Sequence, residues 1–250
     1  MEQPVNESEL LQRRLALEGC YNVRDIGGYE TLDGRTTRWR TLLRADSLNG
    51  LSLESQRLLL AYPVRTIIDL RRTAELRRVP AIFATSQAVR YVSISLLEDE
   101  RKVREVQSLQ MLYRLILETC QEPLKQILQL MATEDVFPCA VHCTVGKDRT
   151  GLITALLLSI ANVPASTIAN DYALSEQYLE PLFALLRARA AQDGHGHDGE
   201  SREWLTQARP ETMLATLSYL EQQYGSVKEY VQSIGMTREQ LERLRSILVE

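Results

Sequence analysis

The sequence of 250 residues has few cysteines, no long hydrophobic run and no excess of positive charge. Its four cysteines cannot build a disulfide scaffold in a chain of this length, so we expect reduced thiols, of which any unusual one is reactive. No apolar stretch approaches the roughly 18 to 20 residues of a transmembrane segment. The opening residues MEQPVNESELLQRR do not resemble a signal peptide. We therefore expect a cytoplasmic protein. Secretion by a route that needs no signal peptide stays open as an alternative.

The charge balance is slightly acidic, with a net charge of -4 at pH 7 and a pI near 5.6. Such a chain has no general attraction to nucleic acid, which we exclude as a partner. Hydrophobic residues at 44% and charged residues at 25% match ordinary globular proteins that are large enough to bury a core. No internal repeat of fixed period is visible, and we predict a single domain over residues 1–250.

Short apolar, β-branched runs alternate with helical patterns in the first part of the chain. The runs cover residues 39–43, 64–70, 89–96 and 136–142 and have the length of strands. Strands that alternate with helices usually pair in parallel and are covered by those helices. The sequence therefore predicts an α/β fold with a mainly parallel central sheet flanked by helices, followed by further helices after Gly151.

A polar, glycine-rich segment, AAQDGHGHDGESREW, interrupts the later helices at residues 190–204. His195 and His197 lie in it beside Asp193 and Asp198, a set that could bind a metal. One His-x-His pair in an acidic loop lacks rigid supporting ligands, so we favour a solvated loop tip and expect no metal.

The most specific feature is the stretch CAVHCTVGKDRTG at residues 139–151. A cysteine six residues before an arginine carries little weight in a chain rich in arginine. The full pattern also requires a histidine before the cysteine, a glycine at the third place after it, a threonine after the arginine and then a glycine. The probability that all of these coincide by chance in a chain of this composition is about one in a million. Only Cys143 satisfies the full pattern.

The physical chemistry of this stretch suits phosphate. Cys143 ends an apolar strand, and the loop after it runs directly into a helix. A thiol is nucleophilic as thiolate, a form that cations and helix N-termini favour. The amides from Thr144 through Arg149 can face inward as an anion-binding nest, to which the helix dipole adds. Arg149 can clamp two phosphate oxygens, and Gly146 permits the close backbone approach.

Three other interpretations of the stretch are weaker. A nucleotide-binding P-loop fails because Val141 stands where its first glycine belongs and Asp148 follows Lys147. Zinc needs more ligands than Cys139 and the adjacent His-Cys pair at 142–143. A merely structural cysteine leaves the coincident glycines, arginine and threonine unexplained.

The segment HCTVGKDRTG resembles the signature loop of the cysteine-dependent protein tyrosine phosphatases, in the form of the bacterial tyrosine phosphatase B-like branch with broad specificity. Three further segments are similar to that branch: YNVRDIGGYETLDGRTTRWRTLLRADSLNGL, RTIIDLRRTAEL and YGSVKEYVQSIGMTREQLERLR. The resemblance thus covers most of the chain. It implies a phosphatase fold with a parallel sheet, a phosphocysteine intermediate, no cofactor and no metal.

The resemblance also implies roles for individual residues. Cys143 would attack phosphorus, and Arg149 would bind the phosphoryl group in the ground and transition states. His142 would hydrogen-bond backbone near Cys143, and Thr150 would donate its hydroxyl to the sulfur when that sulfur leaves. The substrate-binding loop would consist of Thr144, Val145, Gly146 and Lys147.

The proton donor to the leaving oxygen is the open point. Asp148 lies in the loop itself and is our first choice, although its charge repels phosphate unless the carboxyl is protonated or turned away. Asp99, in SLLEDERK, is the candidate by chain order, and Asp69 ends a strand whose end converges on the site. For each of the three, the alternative interpretation is a solvated surface carboxylate without a catalytic role.

Other charged residues at strand ends can either face the cleft or form surface ion pairs, which we favour. These residues are Arg71, Arg72, Arg44 and Asp46. The segment NVRDIGGY at residues 22–29 is interpreted as structural: its glycine pair makes a tight turn and its Arg-Asp pair bridges neighbouring segments. Because the segment recurs in the resembling branch, a role next to the active site stays open as the alternative.

The helices within residues 170–225 exceed what the sheet needs for cover. In the resembling branch a helical pair folds over the active site as a lid, so residues 170–225 would form a lid-like insertion, with 190–204 as its hinge or tip. The alternative is that these helices complete the core.

The sequence thus predicts a phosphomonoesterase that acts on phosphotyrosine and on phosphoserine, phosphothreonine or phosphoinositides. Its substrates would be phosphorylated proteins or phosphoinositides. Alternatives are an inositol polyphosphate phosphatase, a phosphate-binding module without turnover, and sulfur or arsenate transfer on a similar loop.

Overall fold

The computed structural model of the protein describes residues 13–192 and 204–250. Five strands in these ranges form one sheet: β1 (Arg24–Asp25), β2 (Leu42–Ala45), β3 (Thr66–Asp69), β4 (Arg90–Ser93) and β5 (Cys139–His142). The strand order is β1-β2-β5-β3-β4, with β1 antiparallel at one edge and the other four strands parallel. The mainly parallel sheet that the sequence predicts is confirmed.

Ten α-helices surround this sheet in the described part of the chain. They are α1 (Leu53–Ala61), α2 (Thr73–Arg78), α3 (Glu100–Arg104), α4 (Leu109–Thr119), α5 (Gln121–Met131), α6 (Asp148–Ile160), α7 (Ala165–Gln192), α8 (Pro210–Tyr224), α9 (Val227–Ser233) and α10 (Arg238–Leu248). Several begin at a serine or threonine whose side chain accepts a hydrogen bond from an amide of the first turn, as the sequence favours: Ser52, Ser108, Ser226 and Thr237.

Alternating side chains along the strands build two hydrophobic clusters, one on each face of the sheet. Leu43, Ala45, Ile67 and Ala140 pack with Leu59 of α1. The residues between them join the larger cluster under α4–α6 and α8–α10: Leu42, Ile68, Cys139 and Val141. Both faces are therefore covered, and the functional groups are left to the strand ends.

Helix α6 is buried along almost all of its length. It follows β5 after a loop of five residues and contacts the sheet as well as α7, α9 and α10. A helix enclosed in this way needs apolar side chains all round, which its sequence LITALLLSI supplies. Its N-terminus is thereby fixed at the carboxyl end of β5.

Helices α7 and α8 pack against each other, and α8 also packs against α4 and α9. Residues 193–203 of the connection between them, including His195 and His197, lie outside the described residues. None of the helices in the described ranges has the length and apolar character to span a membrane.

Candidate active site

The carboxyl ends of the central strands meet at one edge of the sheet. Ala45, Asp69 and His142 occupy matching positions at the ends of β2, β3 and β5. Cys143 follows directly and is only 2% exposed. The chain then turns through residues 144–147 before α6 begins. The motif, three strand ends and a helix N-terminus thus converge on one point.

Three successive carbonyls of the loop are held from outside. The Thr144 carbonyl accepts from the Ser47 amide (3.0 Å), and the Val145 carbonyl accepts from the Asn22 side chain (3.0 Å). The Gly146 carbonyl accepts from Arg44 Nη2 (2.8 Å). Among the described residues, the amides of 144–147 donate to no backbone carbonyl outside helices and strands. Amides left free in a turn that runs into a helix form a cradle for an anion.

Gly146 is required by the geometry of the turn. Its φ is +67°, and a Cβ there would lie 2.3 Å from the carbonyl oxygen of Ala45. Any side chain would push the loop away from β2. The glycine of the motif therefore keeps the cradle tight against the sheet.

Arg149 lies in the first turn of α6, and its guanidinium is held on several sides. Nη1 and Nη2 bind the two carboxylate oxygens of Glu75 at 2.6 and 2.8 Å. Nη1 also donates to the carbonyl of Leu70 (3.2 Å), and Nη2 to the hydroxyl of Thr144 (3.1 Å). Burial acts to lower the pKa of Arg149, but the nearby Cys143 and Glu75 outweigh it and raise that pKa. Arg149 is therefore a permanent cation with a fixed orientation.

Glu75, on α2, has no role in the sequence analysis, although its segment RTIIDLRRTAEL carries part of the resemblance. Besides Arg149, it accepts from the Arg72 amide (2.8 Å) and Nε (3.0 Å), and from the Thr144 hydroxyl. Burial acts to raise the pKa of Glu75, but Arg149 and Thr144 hold it well below its ordinary value. Glu75 is thus an ionised brace between α2 and the signature loop.

Glu75→Gln is expected to lower kcat/KM by about tenfold, because the neutral amide holds the guanidinium less firmly in one orientation. Steady-state hydrolysis of a phosphotyrosine peptide measures this. Glu54→Gln, an exposed exchange on α1, is the matched control. A rise in kcat/KM for Glu75→Gln would mean that Glu75 competes with phosphate rather than orienting Arg149.

His142 is buried and directly precedes Cys143 in the chain. Its Nδ1 lies 3.2 Å from the carbonyl oxygen of Cys143, and its Nε2 lies 3.5 Å from Asp69. Burial lowers the pKa of His142 although Asp69 opposes this, so the ring is neutral near pH 7. Since a carbonyl only accepts, Nδ1 carries the proton of the neutral ring and donates a hydrogen bond to the backbone carbonyl oxygen of Cys143.

Thr150 has a buried hydroxyl that makes no hydrogen bond within the described part of the chain. It follows Arg149 on α6, next to the loop. Buried hydroxyls usually have a partner, so this one remains able to donate to a sulfur anion or to a bound oxygen.

Lys147 is fully buried, and its side chain has three partners. Nζ donates to the carbonyls of Leu205 and of Gln207 (2.8 Å), and lies 3.4 Å from Asp148. The ammonium thus fastens the chain just before α8 to the signature loop.

The three candidate proton donors have different surroundings. Asp148 begins α6 beside the loop, is 20% exposed, and accepts from the Tyr113 hydroxyl at 2.7 Å. Asp99 caps α3 and pairs with Arg101; this hydrogen bond lowers the pKa of Asp99. Asp99 is thus ionised and engaged locally.

Asp69 is enclosed. It accepts from Arg71 Nε and Nη2 at 3.0 and 2.8 Å and from the Tyr91 hydroxyl at 2.8 Å. Burial acts to raise the pKa of Asp69, but the positive charge that His142 carries when protonated and the hydrogen bonds from Arg71 outweigh it and lower that pKa. Its carboxylate therefore anchors the strand ends in its ionised form.

A buried charge cluster supports the loop from behind. Asp171 of α7 binds Arg24 Nε at 2.9 Å and Arg44 Nη1 at 2.6 Å, and Tyr29 donates to it at 2.9 Å. Arg44, in turn, holds the Gly146 carbonyl. The surface ion pairing favoured for the charged residues at strand ends is wrong for three of them, which are buried: Arg44, Arg71 and Asp46. The cluster ties β1, β2 and α7 to the loop.

Asp171→Asn is expected to lower the free energy of unfolding by about 3–5 kcal/mol, since it leaves two buried guanidiniums without their carboxylate. Denaturant unfolding measures this, with Asp33→Asn, which removes an exposed ion pair with Arg245, as a control expected to cost far less. The two arginines hold the pKa of Asp171 well below 3.8 despite burial. The contribution of Asp171 to the free energy of unfolding is therefore fully present above pH 3.8, its ordinary pKa. It is lost as the pH falls through the lower pKa that Asp171 has in the folded protein. Equal losses in both variants would contradict this role.

Among the described residues, no group of three or more His, Cys, Asp and Glu side chains is placed to hold a metal ion. The loop instead brings a thiol, free amides, a braced guanidinium and a helix N-terminus together. This combination suits binding and nucleophilic attack on a phosphoryl group.

The chain belongs to the tyrosine phosphatase family, whose model matches residues 15–250. A tyrosine-protein phosphatase of Nostoc commune is 31% identical over 222 residues, which cover 81% of this chain and 72% of that protein. The triple specificity protein phosphatase PtpB of Mycobacterium tuberculosis is 26% identical over 138 residues, 52% of this chain and 49% of that protein. The chain is therefore a phosphatase with a phosphorylated substrate.

Proposed function

We propose that the protein is a metal-independent phosphomonoesterase that hydrolyses phosphotyrosine in proteins through a phosphocysteine on Cys143. The observation that carries this proposal is the loop from Cys143 to Arg149. In it a thiol lies at the base of a turn with free amides, and a guanidinium braced by Glu75 lies at the start of the following helix.

The reaction has two displacements at phosphorus. In the first, the Cys143 sulfur forms a bond to phosphorus while the bond to the substrate oxygen breaks, and that oxygen takes a proton from the general acid. In the second, water attacks phosphorus, gives a proton to the same acid, and sulfur leaves as thiolate. Thr150 stabilises that thiolate with its unpaired hydroxyl.

Arg149 binds the phosphoryl oxygens in both steps. Glu75, Leu70 and Thr144 engage its two Nη atoms, and Nε donates to none of the described residues. Nε and the Nη2 hydrogen now shared with Thr144 form the edge that clamps phosphate. The guanidinium is oriented before substrate arrives, so little reorganisation is needed in the transition state.

Asp148 is proposed as the general acid. A donor must reach the leaving oxygen, and Asp148 begins α6 directly after the loop that holds phosphorus. The lowered pKa values of Asp99 and Asp69 disfavour the protonated form that the first step needs. Tyr113 fixes the Asp148 carboxyl by its hydrogen bond.

Asp148→Asn is expected to reduce kcat for phosphotyrosine peptide by about a hundredfold, because the phenolic oxygen then leaves without a proton. The loss should be much smaller for p-nitrophenyl phosphate, whose leaving group is stable as an anion. Asp99→Asn is the matched comparison. Full activity of Asp148→Asn together with loss in Asp99→Asn would move the role to Asp99.

We also propose that the chain is one phosphatase domain over residues 1–250 and that α7, α8 and their connection act as a lid. Support comes from Lys147, which binds the connection before α8, and from Asp171 of α7, which binds the arginine that holds the loop. A lid linked in this way shields the thiolate from water and oxidants.

The substrate range is tested by phosphate release in the presence of EDTA. Peptides with phosphotyrosine, phosphoserine or phosphothreonine, a phosphoinositide and a soluble inositol polyphosphate form the panel. We expect turnover of phosphotyrosine first. The Lys147 ammonium is already engaged by carbonyls, which weakens the case for highly charged head groups. Binding of all phosphopeptides without release would favour a phosphate-binding module.

A further inference from the structure

A cavity of about 280 Å³ lies beside the signature loop. Its walls include Thr144 of the loop and Glu75, the brace of Arg149, so it adjoins the proposed phosphate cradle. Arg71, Arg78 and Val79 also line it. A group that is attached to a bound phosphotyrosine can therefore enter this cavity while its phosphate lies in the cradle.

The walls of the cavity are held in place by hydrogen bonds. Arg71 Nη1 donates to the carbonyl of Val79 at 3.0 Å, and the Asn49 side chain donates to the same carbonyl at 3.3 Å. Ser47 donates its amide to the Thr144 carbonyl at 3.0 Å. The cavity is thus preformed, which lowers the entropic cost of binding.

The cations of the cavity differ in how they are paired. Arg71 has Asp69 as its carboxylate, and Arg72 has Glu75. Arg78 is exposed, and its side chain makes no hydrogen bond or ion pair with any of the described residues. Its guanidinium therefore remains available to an anion from outside the chain.

We propose that this cavity, through Arg78, binds an acidic side chain next to the phosphotyrosine of a substrate protein. The inference rests on the proposed function and specifies its substrate class: phosphotyrosine in an acidic sequence. One unpaired guanidinium matches one carboxylate. The apolar part of the wall, with Val79 46% exposed, suits the methylene groups of glutamate.

The test compares two phosphotyrosine peptides of equal length, one with glutamates on both sides of the phosphotyrosine and one with glutamines. For wild type we expect kcat/KM to be roughly three- to fivefold higher for the glutamate peptide, as for a partly exposed ion pair. In Arg78→Gln the ratio should fall to about one. Arg77→Gln, an exposed neighbour on α2 outside the cavity, should keep the wild-type ratio.

A parallel binding arm uses Cys143→Ser and its double variant with Arg78→Gln, with both peptides titrated at low and high salt. The same preference in Kd, lost in the double variant and reduced by salt, supports the site independently of turnover. If the wild type released no phosphate but the preference in Kd for the glutamate peptide remained, the proposed function would be refuted and the binding site would stand. A ratio near one in wild type, or a preference that survives Arg78→Gln, would overturn the inference.

Discussion

Cys143→Ser is expected to abolish measurable phosphate release, with a loss of roughly a factor of 10³ or more. A serine hydroxyl at this position is not ionised near neutral pH, so the helix N-terminus and the guanidinium of Arg149 have no anion to stabilise as nucleophile. The exchange conserves shape, and Cys143 is already buried, so the fold should persist. Phosphate release from a phosphotyrosine peptide, with thermal unfolding measured in parallel, checks both expectations.

Cys20→Ser is the matched control. The Cys20 thiol donates to the Ser47 carbonyl at 3.3 Å, a hydrogen bond that serine can replace. Burial, with a smaller effect from Asp46, raises the pKa of Cys20 and keeps that thiol protonated. Activity should therefore be retained. Equal turnover by wild type and Cys143→Ser would refute the thiolate mechanism.

Arg149→Lys is expected to lower kcat by about 10²–10³ although the positive charge remains. Lysine cannot keep the two bonds to Glu75 while presenting a second edge to phosphate, since its ammonium is a point charge without the planar fork. The loss should therefore fall on kcat more than on KM, because the clamp acts most strongly in the transition state.

The same exchange at an exposed position, Arg57→Lys on α1, controls for the change of side chain. Its kinetic constants should match those of wild type. If Arg149→Lys raised only KM, Arg149 would contribute charge to binding and not a shaped contact to the transition state. Kinetics over a range of peptide concentrations separate these cases.

Local features of the sequence predicted the centre of the molecule well. The apolar run at 136–142 contains β5, and the pattern from His142 to Gly151 marks the turn and the start of α6. These features depend on residues that are neighbours in the chain. Strand β2 is displaced from the predicted run at 39–43, because Arg44 is charged and yet lies buried inside the strand.

Contacts between distant segments were beyond the sequence. Glu75 and Arg149 are 74 positions apart, and Arg24 and Asp171 are 147 positions apart. A single sequence presents each of these charges as an ordinary polar residue. The direction of the Lys147 side chain depends in the same way on the segment at 205–207, which only the folded chain brings near. The pairs of buried charges could therefore be identified only in the folded structure.

The central claim is the phosphocysteine, and trapping it is the most direct test. The protein is mixed with phosphotyrosine peptide, quenched with acid within milliseconds, digested, and analysed by mass spectrometry. We predict a phosphate adduct on the peptide that contains Cys143, which accumulates further in Asp148→Asn when p-nitrophenyl phosphate is the substrate and water attack is slowed. Phosphate release that proceeds at the wild-type rate with no adduct on Cys143 at any quench time, or with the adduct on another residue, would contradict the mechanism.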